Sequence, residues 1–429
     1  MLEVLDLRGT AEIPALPRAA VDTEDAREKV RSIIAAVRDG GSGAARRIQA
    51  EVGSPSEELL VDRQVCREAL EALRPELRSA LEQAAVRIRA YHERQAADEP
   101  SGTWRVGEPG ATVGERTSPM DRAGCYAPGG RASYPSSVLM TAIPARVAGV
   151  PHVTLACPPG DDGRIDQTTL AAAALAGVDQ VVALGGAQAI AALAYGFDGL
   201  EKVDVIVGPG NLWVTLAKME VAHRVRVDGF QGPTEIVVIA DETMPATFAA
   251  ADLVAQAEHD PLATCILITP DESLAKEVLS ILPGEVAAHP RADDVGAALR
   301  KYGRIILTDD LEHACRVSDA FAPEHLELAV ATPERLLGRI RHAGAIFCGP
   351  YSPVSLGDYL AGTNHVLPTA GSARFTSPLR VGTFLKQTGI ISFGPGGLQR
   401  VAPALQAIAE AEGLVAHARA VQVRSEYRA

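Results

Sequence analysis

The chain has 429 residues, and its 54 Asp and Glu outnumber its 41 Lys and Arg, which gives a formal net charge of −13. This acidic balance argues against general nucleic-acid binding and against a basic membrane-binding surface. The N-terminus has no basic and apolar segments of the signal-peptide kind, and no charge-free apolar run could span a bilayer. We therefore expect a soluble cytoplasmic protein, and the length favours two domains.

The N-terminal segment 1–21 is aperiodic and contains prolines, so we expect an arm rather than a core element. Thr23-Glu24-Asp25 then supplies an N-cap and an acidic first turn, and the helix that follows is predicted to end at Gly40-Gly41. A long charged helix is predicted over 76–96.

From about residue 123 onward, short apolar runs alternate with Ala-rich helical runs. The runs 153–157, 180–184 and 203–207 are typical of buried strands, with helices predicted over 168–176 and 187–194. Strands that alternate with helices predict parallel sheets joined by right-handed crossovers.

A second series of the same kind begins at Glu235 and is followed by a helical segment over 398–411. Its predicted strands are 235–240, 265–269, 304–307, 327–330 and 345–348. The chain is therefore predicted to be an α/β protein whose two domains have parallel-sheet, incomplete Rossmann-like cores, with an N-terminal arm and a C-terminal helical tail. The predicted boundaries are 1–22 for the arm, 23–125 with 234–375 for the main domain, 126–233 for the second domain and 376–429 for the tail.

The cysteines are scattered along the chain and have no CxxC spacing. They are Cys66, Cys125, Cys157, Cys265, Cys315 and Cys348. Cys157, Cys265 and Cys348 lie in apolar, strand-like runs, so buried free thiols are predicted rather than disulfides or zinc-binding cysteines.

The dipeptide Glu-His occurs three times in different surroundings, and the first copy is part of Gln256-Ala257-Glu258-His259. Gln256 and His259 are three residues apart on a predicted helix, so they share a face and could bind one metal ion. Gln is an uncommon zinc ligand and zinc takes about four ligands, so a structural histidine is the alternative. Glu312-His313 lies in an amphipathic helical stretch, and we assign it no role.

The remaining copy, Glu324-His325, follows Pro323, which biases Ala322 toward extended geometry. Neighbouring side chains of an extended segment point to opposite faces, so the two groups could serve successive steps, or one could lie on each side of a substrate. A neutral imidazole can act as a general base, and a glutamate of raised pKa can activate water. The alternative is a solvated pair at a strand edge.

Two further kinds of segment could carry function. Asp358 and His365 lie in a stretch rich in Gly, Pro and Ser, which predicts a loop after a strand, where α/β proteins place functional groups. A surface loop without a function is the alternative. Glycine-rich turns at 126–130, 183–189 and 207–213 could admit a phosphate to backbone N–H groups, although none has the GxGxxG pattern. Three such turns in one domain indicate a nucleotide-sized ligand.

Eight segments, in one order between about residues 85 and 420, resemble those of histidinol dehydrogenases. They are CYAPGG, YPSSVLMTAIPARVAGV, LGGAQAIAALAYG, VGPGNLWVTLAK, GPTEIVVIAD, DLVAQAEHDPLA, APEHLEL and LAGTNHVLPTAGSARF. The resemblance implies a homodimer with one Zn²⁺ per subunit. It also implies the last step of histidine biosynthesis, in which L-histidinol is oxidised to L-histidine through histidinal with two NAD.

The resemblance also implies roles for individual residues. Gln256, His259 and Asp358 would be zinc ligands from one subunit, and His417 would be the fourth ligand, supplied by the partner's tail. His325 would deprotonate the alcohol and could serve both steps, and Glu324 would activate water. The NAD-contacting positions would be Tyr126, Gln188 and Asn211. The substrate-binding positions would be Thr234, Gln256, His259, His325, Asp358, His365, Glu412 and His417.

The main departure from the family pattern is Thr234, which stands where Ser is common and keeps the hydroxyl. One alternative function keeps the scaffold and oxidises another polar alcohol, such as a sulfonated diol. Glu412 and His365 argue against it, because a substrate with an amine and an imidazole needs carboxylate and acceptor partners. A zinc hydrolase is a second alternative function, and a non-catalytic two-domain binding protein is a third.

Overall fold

The structure, a computed structural model, describes residues 2–19, 24–53, 55–56, 58–100, 102–129, 133–229 and 231–427. The strands are β1 Glu3–Asp6, β2 Leu60–Val61, β3 Thr103–Glu108, β4 Ala111–Pro119, β5 Arg122–Tyr126, β6 His152–Ala156, β7 Gln180–Val182, β8 Val205–Val207, β9 Arg226–Val227, β10 Glu235–Ala240, β11 Thr264–Thr269, β12 Arg304–Leu307, β13 His325–Ala329, β14 Ala345–Cys348 and β15 Leu385–Phe393.

Helices connect most of these strands. They are α1 Glu24–Glu51, α2 Arg63–Glu71, α3 Pro75–Asp98, α4 Pro135–Val147, α5 Gln167–Ala176, α6 Gly186–Tyr195, α7 Leu212–Val221, α8 Ala246–Ala257, α9 Glu272–Ala288, α10 Ala292–Tyr302, α11 Leu311–Phe321, α12 Glu334–Leu337, α13 Val354–Tyr359, α14 Pro395–Ala411 and α15 Val415–Glu426. Short 3₁₀ turns cover Ser372–Arg374 and Val381–Phe384. No helix of the described ranges is long and apolar enough to cross a membrane.

Two six-stranded sheets form the cores of the molecule. The first has the strand order β1-β12-β11-β10-β13-β14, and every neighbouring pair in it is parallel. The second has the order β2-β7-β6-β5-β8-β9, in which only the β2–β7 pair is antiparallel. The predicted α/β class with parallel-sheet cores is confirmed, and all the predicted strands are present with ends shifted by a few residues.

The central strands are wholly buried because helices cover both faces of each sheet. Every residue of β10 and β11 is buried, as expected for continuous Val and Ile runs of a parallel sheet. One face of the first sheet packs on α8, α9 and α10, and the other packs on α11 and on apolar residues of the N-terminal arm. The second sheet has α4 and α5 on one face and α6 and α7 on the other.

The N-terminal arm is more ordered than its composition indicates. Residues Glu3–Asp6 form β1, which pairs in parallel with β12 at the edge of the first sheet, and Leu2 and Leu7 are buried. The expectation of an arm without core structure is wrong at these residues. Four residues are too few for a period-2 pattern to stand out from an aperiodic segment.

Helices α1 to α3 cover the second sheet and not the first. Val30 and Ile34 of α1 pack with α6, and Leu81 and Ile88 of α3 pack with α4. This packing differs from the predicted grouping of 23–125 with 234–375, because chain order does not reveal which of two apolar sheets an early helix covers. Where the domain boundaries lie stays a prediction.

The predicted helix end at Gly40-Gly41 is a kink. Gly41 has φ 55° and ψ −142°, and the helix resumes beyond it to Glu51. Without a Cβ, glycine adopts this positive φ at little steric cost. The proposed N-cap residue, Thr23, lies outside the described residues.

The C-terminal segment packs on a third sheet with the order β15-β4-β3, and α14 and α15 pack on each other. Large apolar side chains are exposed here, including Ile391 at 79%, Ile408 at 61% and Val415 at 72%. Cys348 is exposed as well, at the end of edge strand β14, whereas the other five cysteines are buried free thiols. The prediction of burial is therefore wrong for Cys348, because one side of an edge strand is uncovered.

Candidate functional site

Most of the predicted site residues meet at the amino edge of the first sheet. Strands β10 and β13 are neighbours and begin there, with Ile236 opposite His325. Helix α8 runs back to this edge and has Gln256 in its last turn, and α13 has Asp358 near its end. The C-terminal end of a crossover helix lies at the amino edge because the helix runs antiparallel to the strands.

Asp358 therefore lies on a short helix, and the prediction of a loop is wrong. Helix α13 begins after Pro353 and has only six residues, which include Gly357 and Ser355. Such a short helix gives no recognisable apolar period, and its glycine and serine are typical of loops.

Glu324 and His325 are both buried, and their side chains lie on the same side of the chain. The distance between Glu324 Oε2 and His325 Nδ1 is 3.6 Å. The predicted opposite orientation is wrong, because only His325 belongs to β13 and Ala322 has a left-handed backbone with φ 55°. The expected extended geometry of Ala322 is wrong for the same reason, since Ala322 ends helix α11.

The backbone N–H and carbonyl of Glu235 hold both side chains in place. Its N–H donates to Glu324 Oε2 at 2.9 Å, and its carbonyl oxygen lies 2.9 Å from His325 Nδ1. A carbonyl oxygen only accepts hydrogen bonds, so Nδ1 carries the proton of the imidazole. Nε2 is then the unprotonated ring nitrogen, and it makes no hydrogen bond to any residue of the described ranges.

Burial adjusts the proton affinities of the pair in opposite directions. Desolvation raises the pKa of Glu324 to about 8, and hydrogen bonds from Thr234 and from the Glu235 peptide oppose this rise. Desolvation lowers the pKa of His325, and the charge of Asp358 opposes that effect. His325 is therefore a neutral base at neutral pH, whereas Glu324 becomes a carboxylate only at mildly alkaline pH.

Thr234 connects Glu324 to Gln256. Gln256 Nε2 donates to Thr234 Oγ1 at 2.5 Å, and the Thr234 hydroxyl donates to Glu324 Oε2 at 2.6 Å. The amide oxygen of Gln256 is left buried without a hydrogen-bond partner among the described residues. An unsatisfied buried oxygen is costly, so it marks a place where an electropositive ligand would bind.

His365 joins this edge of the first sheet to the second. Its Nδ1 lies 3.0 Å from the carbonyl oxygen of Asp358 and 3.9 Å from the carboxylate oxygen Oδ1 of the same residue. Its Nε2 accepts from the hydroxyl of Ser137, which lies in the first turn of helix α4. Desolvation lowers the pKa of His365, and the charge of Asp358 and the hydrogen bond to its backbone oppose this effect.

The predicted zinc ligands of one chain fit a metal only in part. Gln256 is buried, whereas His259 follows the end of α8 in an exposed turn instead of continuing the helical face. The described residues contain no cluster of three His, Cys, Asp or Glu that could hold a metal. The predicted set supplies two such residues from one chain, His259 and Asp358. Its remaining members are the amide of Gln256 and His417 of the partner subunit. The orphaned amide oxygen of Gln256 is compatible with that set.

The residues predicted to contact NAD follow the carboxyl ends of strands in the second sheet. Tyr126 ends β5, and its hydroxyl accepts from the Gly186 N–H at 3.2 Å. Gln188 is buried in the first turn of α6, and Asn211 caps the start of α7. Parallel strands bring these turns to one edge, where open α/β sheets bind ligands. The turn after Tyr126 continues into residues 130–132, which lie outside the described ranges.

Sequence reasoning missed Gln49, which supports this edge from helix α1. Gln49 Oε1 accepts from the Gly185 N–H and from Gln188 Nε2, both at 2.9 Å. A buried glutamine on an apolar helix face was a usable signal, because such an amide needs partners.

A buried ion pair that was also missed fixes the turn after β8. Lys218 Nζ lies 2.7 Å from Asp228 Oδ1 and donates to the Gly208 carbonyl, and Asp228 Oδ2 accepts from the Gly208 N–H at 2.7 Å. Gly208 has φ 118°, and a Cβ there would lie 2.0 Å from the Tyr126 carbonyl oxygen. The pair therefore holds a backbone shape that only glycine can adopt.

The structure does not bring Glu412 and His417 to the other site residues of the same chain. Both side chains are exposed, at the end of α14 and in the first turn of α15. These helices pack mainly on each other and on β15. A role for either residue at the site would require a second subunit.

Comparisons with known proteins agree with the resemblance. A family model described as histidinol dehydrogenase matches residues 16–425. The histidinol dehydrogenase of Parasynechococcus marenigrum is 46% identical over 417 residues, which cover 96% of this chain and 95% of the relative. The histidinol dehydrogenase of Heliobacterium mobile is 50% identical over 360 residues, which cover 84% and 83%. The crystal structure of histidinol dehydrogenase from Elizabethkingia anophelis superposes with a TM-score of 0.90 at 33% identity, covering 99% of this chain and 98% of that one. The chain therefore belongs to the histidinol dehydrogenase family.

Proposed function

We propose that this chain oxidises L-histidinol to L-histidine through histidinal, reducing two NAD, and that Glu324 and His325 carry out the proton transfers. Membership of a family of NAD-dependent dehydrogenases supports the reaction class. Relatives named for histidinol, matched over nearly the whole chain, favour this substrate over a sulfonated diol. The observation that carries the proposal is the buried pair of Glu324 and His325, in which the imidazole Nδ1–H donates a hydrogen bond to the Glu235 carbonyl oxygen.

The first oxidation needs a base for the alcohol proton. His325 Nε2 is free to accept it, because Nδ1 already carries the ring proton and burial keeps the imidazole neutral. As Nε2 removes the O–H proton, the C–H electron pair leaves as hydride to the nicotinamide, and the alcohol becomes the aldehyde histidinal. The Glu235 carbonyl then stabilises the imidazolium through its hydrogen bond with Nδ1.

The second oxidation needs water to add to the aldehyde. Ionised Glu324 would remove a proton from that water while the aldehyde oxygen takes the proton of the His325 imidazolium, which gives hydrated histidinal. Neutral His325 would then accept one hydroxyl proton of the hydrate as its C–H hydride leaves to a second NAD, and the product is the carboxylic acid. Thr234 Oγ1 and the Glu235 N–H both donate to Oε2 of Glu324, so Oε1 is the oxygen available to the water. The pKa of about 8 predicts that this step gains rate as the pH rises through that value.

Zinc is the metal that the family implies, and Gln256, His259 and Asp358 would hold it together with His417 of the partner subunit. When bound, it would act as a Lewis acid that anchors the amine and imidazole of the substrate. The orphaned Oε1 of Gln256 supports this proposal, because the Thr234 hydroxyl keeps the amide nitrogen turned away.

The cofactor would bind at the carboxyl edge of the second sheet against Tyr126, Gln188 and Asn211. Fixed hydrogen bonds from Gln49 and from the Lys218–Asp228 pair support this assignment, because they hold two of the turns rigid before NAD arrives. Rigid turns of this kind lower the entropic cost of binding.

A homodimer is proposed from the exposed apolar residues of β15, α14 and α15, which a partner subunit would cover. Glu412 and His417 would then complete the partner's site. The test mixes Glu324→Gln with His417→Ala and follows the oxidation of added histidinal, for which each variant alone is expected to be inactive. If tails are shared, mixed dimers contain one intact site and activity returns, whereas sites completed within one chain would stay inactive after mixing. The cytoplasmic location stays a prediction.

The reaction itself is tested by measuring NADH formed from histidinol before and after chelation of metal. We expect two equivalents of NADH per substrate, and we expect turnover to stop when zinc is removed and to resume when it returns. His325→Asn should slow the first oxidation, and Glu324→Gln should slow the oxidation of added histidinal. Background turnover of histidinol by the wild type would overturn the proposal, and hydrolysis of an ester without NADH would favour the zinc hydrolase.

A further inference from the structure

The N-terminal arm reaches the acid/base pair through one ion pair. Arg18 Nε lies 2.5 Å from Glu235 Oε1, and its Nη2 lies 3.1 Å from Oε2, so the guanidinium binds the carboxylate with two parallel hydrogen bonds. Nη2 also donates to the Phe321 carbonyl at 2.8 Å, and the guanidinium lies 3.9 Å above the Phe321 ring. Arg18 thereby joins the first residue of β10 to the end of α11.

The position of Glu235 in the fold is unusual for a charged side chain. Its side chain is 2% exposed and stands at the start of an otherwise apolar strand at the centre of the sheet. Its carboxylate is bound by Arg18 and by the Ala370 N–H at 3.2 Å. The same residue uses its peptide N–H for Glu324 and its carbonyl for His325. The carboxylate that Arg18 binds and the backbone groups that bind Glu324 and His325 therefore belong to one residue.

We propose that Arg18 is a positioning residue, which fixes the peptide of Glu235 so that Glu324 and His325 keep their catalytic geometry. The inference rests on the proposed function, since it takes these two residues as the acid/base pair. It assigns the arm a part in the reaction, although Arg18 itself does not contact Glu324 or His325. Two hydrogen bonds from the Arg18 guanidinium, with the Phe321 ring stacked on it, restrain the direction of the Glu235 carboxylate as well as its distance. A lysine would restrain only the distance.

Removal of Arg18 would leave the Glu235 carboxylate buried without its cation. That carboxylate would move toward solvent or toward other donors, and the Glu235 peptide would move with it. Displacement of a catalytic group by about 1 Å can lower the rate by about 100-fold. Apart from His325, the proposed substrate and NAD contacts lie on other residues, so the loss should fall mainly on kcat and leave both KM values near those of the wild type.

The test compares Arg18→Met with Arg8→Met. Arg8 is the matched control, because it also lies in the arm and its ion pairs with Asp6 and Glu272 are exposed. We expect Arg18→Met to lower kcat by about 10- to 100-fold with little change in KM, and Arg8→Met to leave kcat unchanged. Arg18→Met combined with Glu235→Gln should recover most of the lost kcat, because no unpaired charge remains.

A kcat for Arg18→Met equal to that of Arg8→Met would overturn the proposal, as would a raised KM with normal kcat. A double variant as slow as Arg18→Met would also overturn it. If Arg18→Met fails to fold, Arg18→Lys decides: a kcat lowered by about 3- to 10-fold supports the proposal, and a wild-type kcat overturns it.

A second measurement does not depend on turnover. The Nδ1 proton of His325, assigned in histidine-labelled protein by its loss in His325→Asn, reports the hydrogen bond to Glu235. We expect a sharp NMR signal in the wild type and in Arg8→Met, and a broadened or absent signal in Arg18→Met. An unchanged signal in Arg18→Met would refute the positioning role even if histidinol proved not to be the substrate. Failure of the proposed function would appear instead in the wild type, as no NADH from histidinol.

Discussion

Replacing Thr234 by Val should move the pH dependence of histidinal oxidation to higher pH, whereas Ser should leave it in place. The Thr234 hydroxyl donates to Glu324 Oε2 at 2.6 Å and thereby favours the ionised form of that carboxyl. Val has nearly the same shape and no hydroxyl, so the pKa of Glu324 should rise above its value of about 8. Since Glu324 acts as a base only when it is ionised, the rate should then increase at a higher pH.

The size of the shift follows from the strength of the lost hydrogen bond. A hydrogen bond to a charged group contributes about 1.5 to 3 kcal/mol, and one pKa unit corresponds to about 1.4 kcal/mol. The rising limb of the curve of histidinal oxidation rate against pH should therefore move to higher pH by about one to two units in Thr234→Val. The N–H of Glu235 still donates to the same oxygen, which places the expected shift near the lower figure.

The assay is the rate of NADH formation from added histidinal at saturating NAD, followed from about pH 6 to pH 10. Thr234→Ser keeps the hydroxyl and serves as the control. Glu324→Gln should have no rising limb, which identifies the group that titrates. A limb at the same pH in the Val and Ser variants would refute the role of this hydrogen bond, and a limb that persists in Glu324→Gln would refute the assignment to Glu324.

Three other changes test the supporting structure. Gln49→Leu should raise the KM for NAD and leave the KM for histidinol unchanged, because it releases Gln188 and the Gly185 N–H; steady-state kinetics would show this split. Lys218→Met should lower the free energy of unfolding by about 3 to 5 kcal/mol in denaturant titrations, because the buried Asp228 loses its cation. The pKa of Glu324 is raised from 4.5 to about 8 in the folded protein, so its contribution to stability is present below pH 4.5 and lost as the pH rises through 8. Glu324→Gln should therefore lose less stability than the wild type between about pH 6 and 9, by about 3 kcal/mol in thermal or denaturant unfolding.

The sheets were predictable because their strands are buried on both faces. Continuous Val and Ile runs such as Glu235–Ala240 have few other structures open to them, and alternation with helices fixes a parallel arrangement. The position of the catalytic pair at the start of β13 followed as well, because an apolar strand begins directly after Glu324.

Local backbone shape at the site was not predictable in the same way. Ala322 takes its left-handed conformation as the C-cap of α11, and the six-residue helix around Asp358 begins where the Val354 N–H donates to Glu327 of β13. No local pattern encodes either feature. The predicted helical face shared by Gln256 and His259 is wrong because α8 ends at Ala257, and His259 lies in the turn after it. Glu412 and His417 would depend on a second subunit, which the pattern of one chain does not describe.

The link from the arm to the catalytic pair shows where the information in a sequence ends. A glutamate that leads an apolar central strand requires a cation, so the sequence does indicate that Glu235 has a partner. It does not indicate which of the 41 Lys and Arg supplies it, because Arg18 lies 217 residues away along the chain. Nor does a side-chain pattern reveal that both catalytic groups bind the peptide of Glu235, since every residue has the same peptide groups. The proposed catalytic side chains were thus suggested by their chemical types, whereas the groups proposed to orient them are backbone groups of Glu235 and a distant arginine, which only the folded chain brings together.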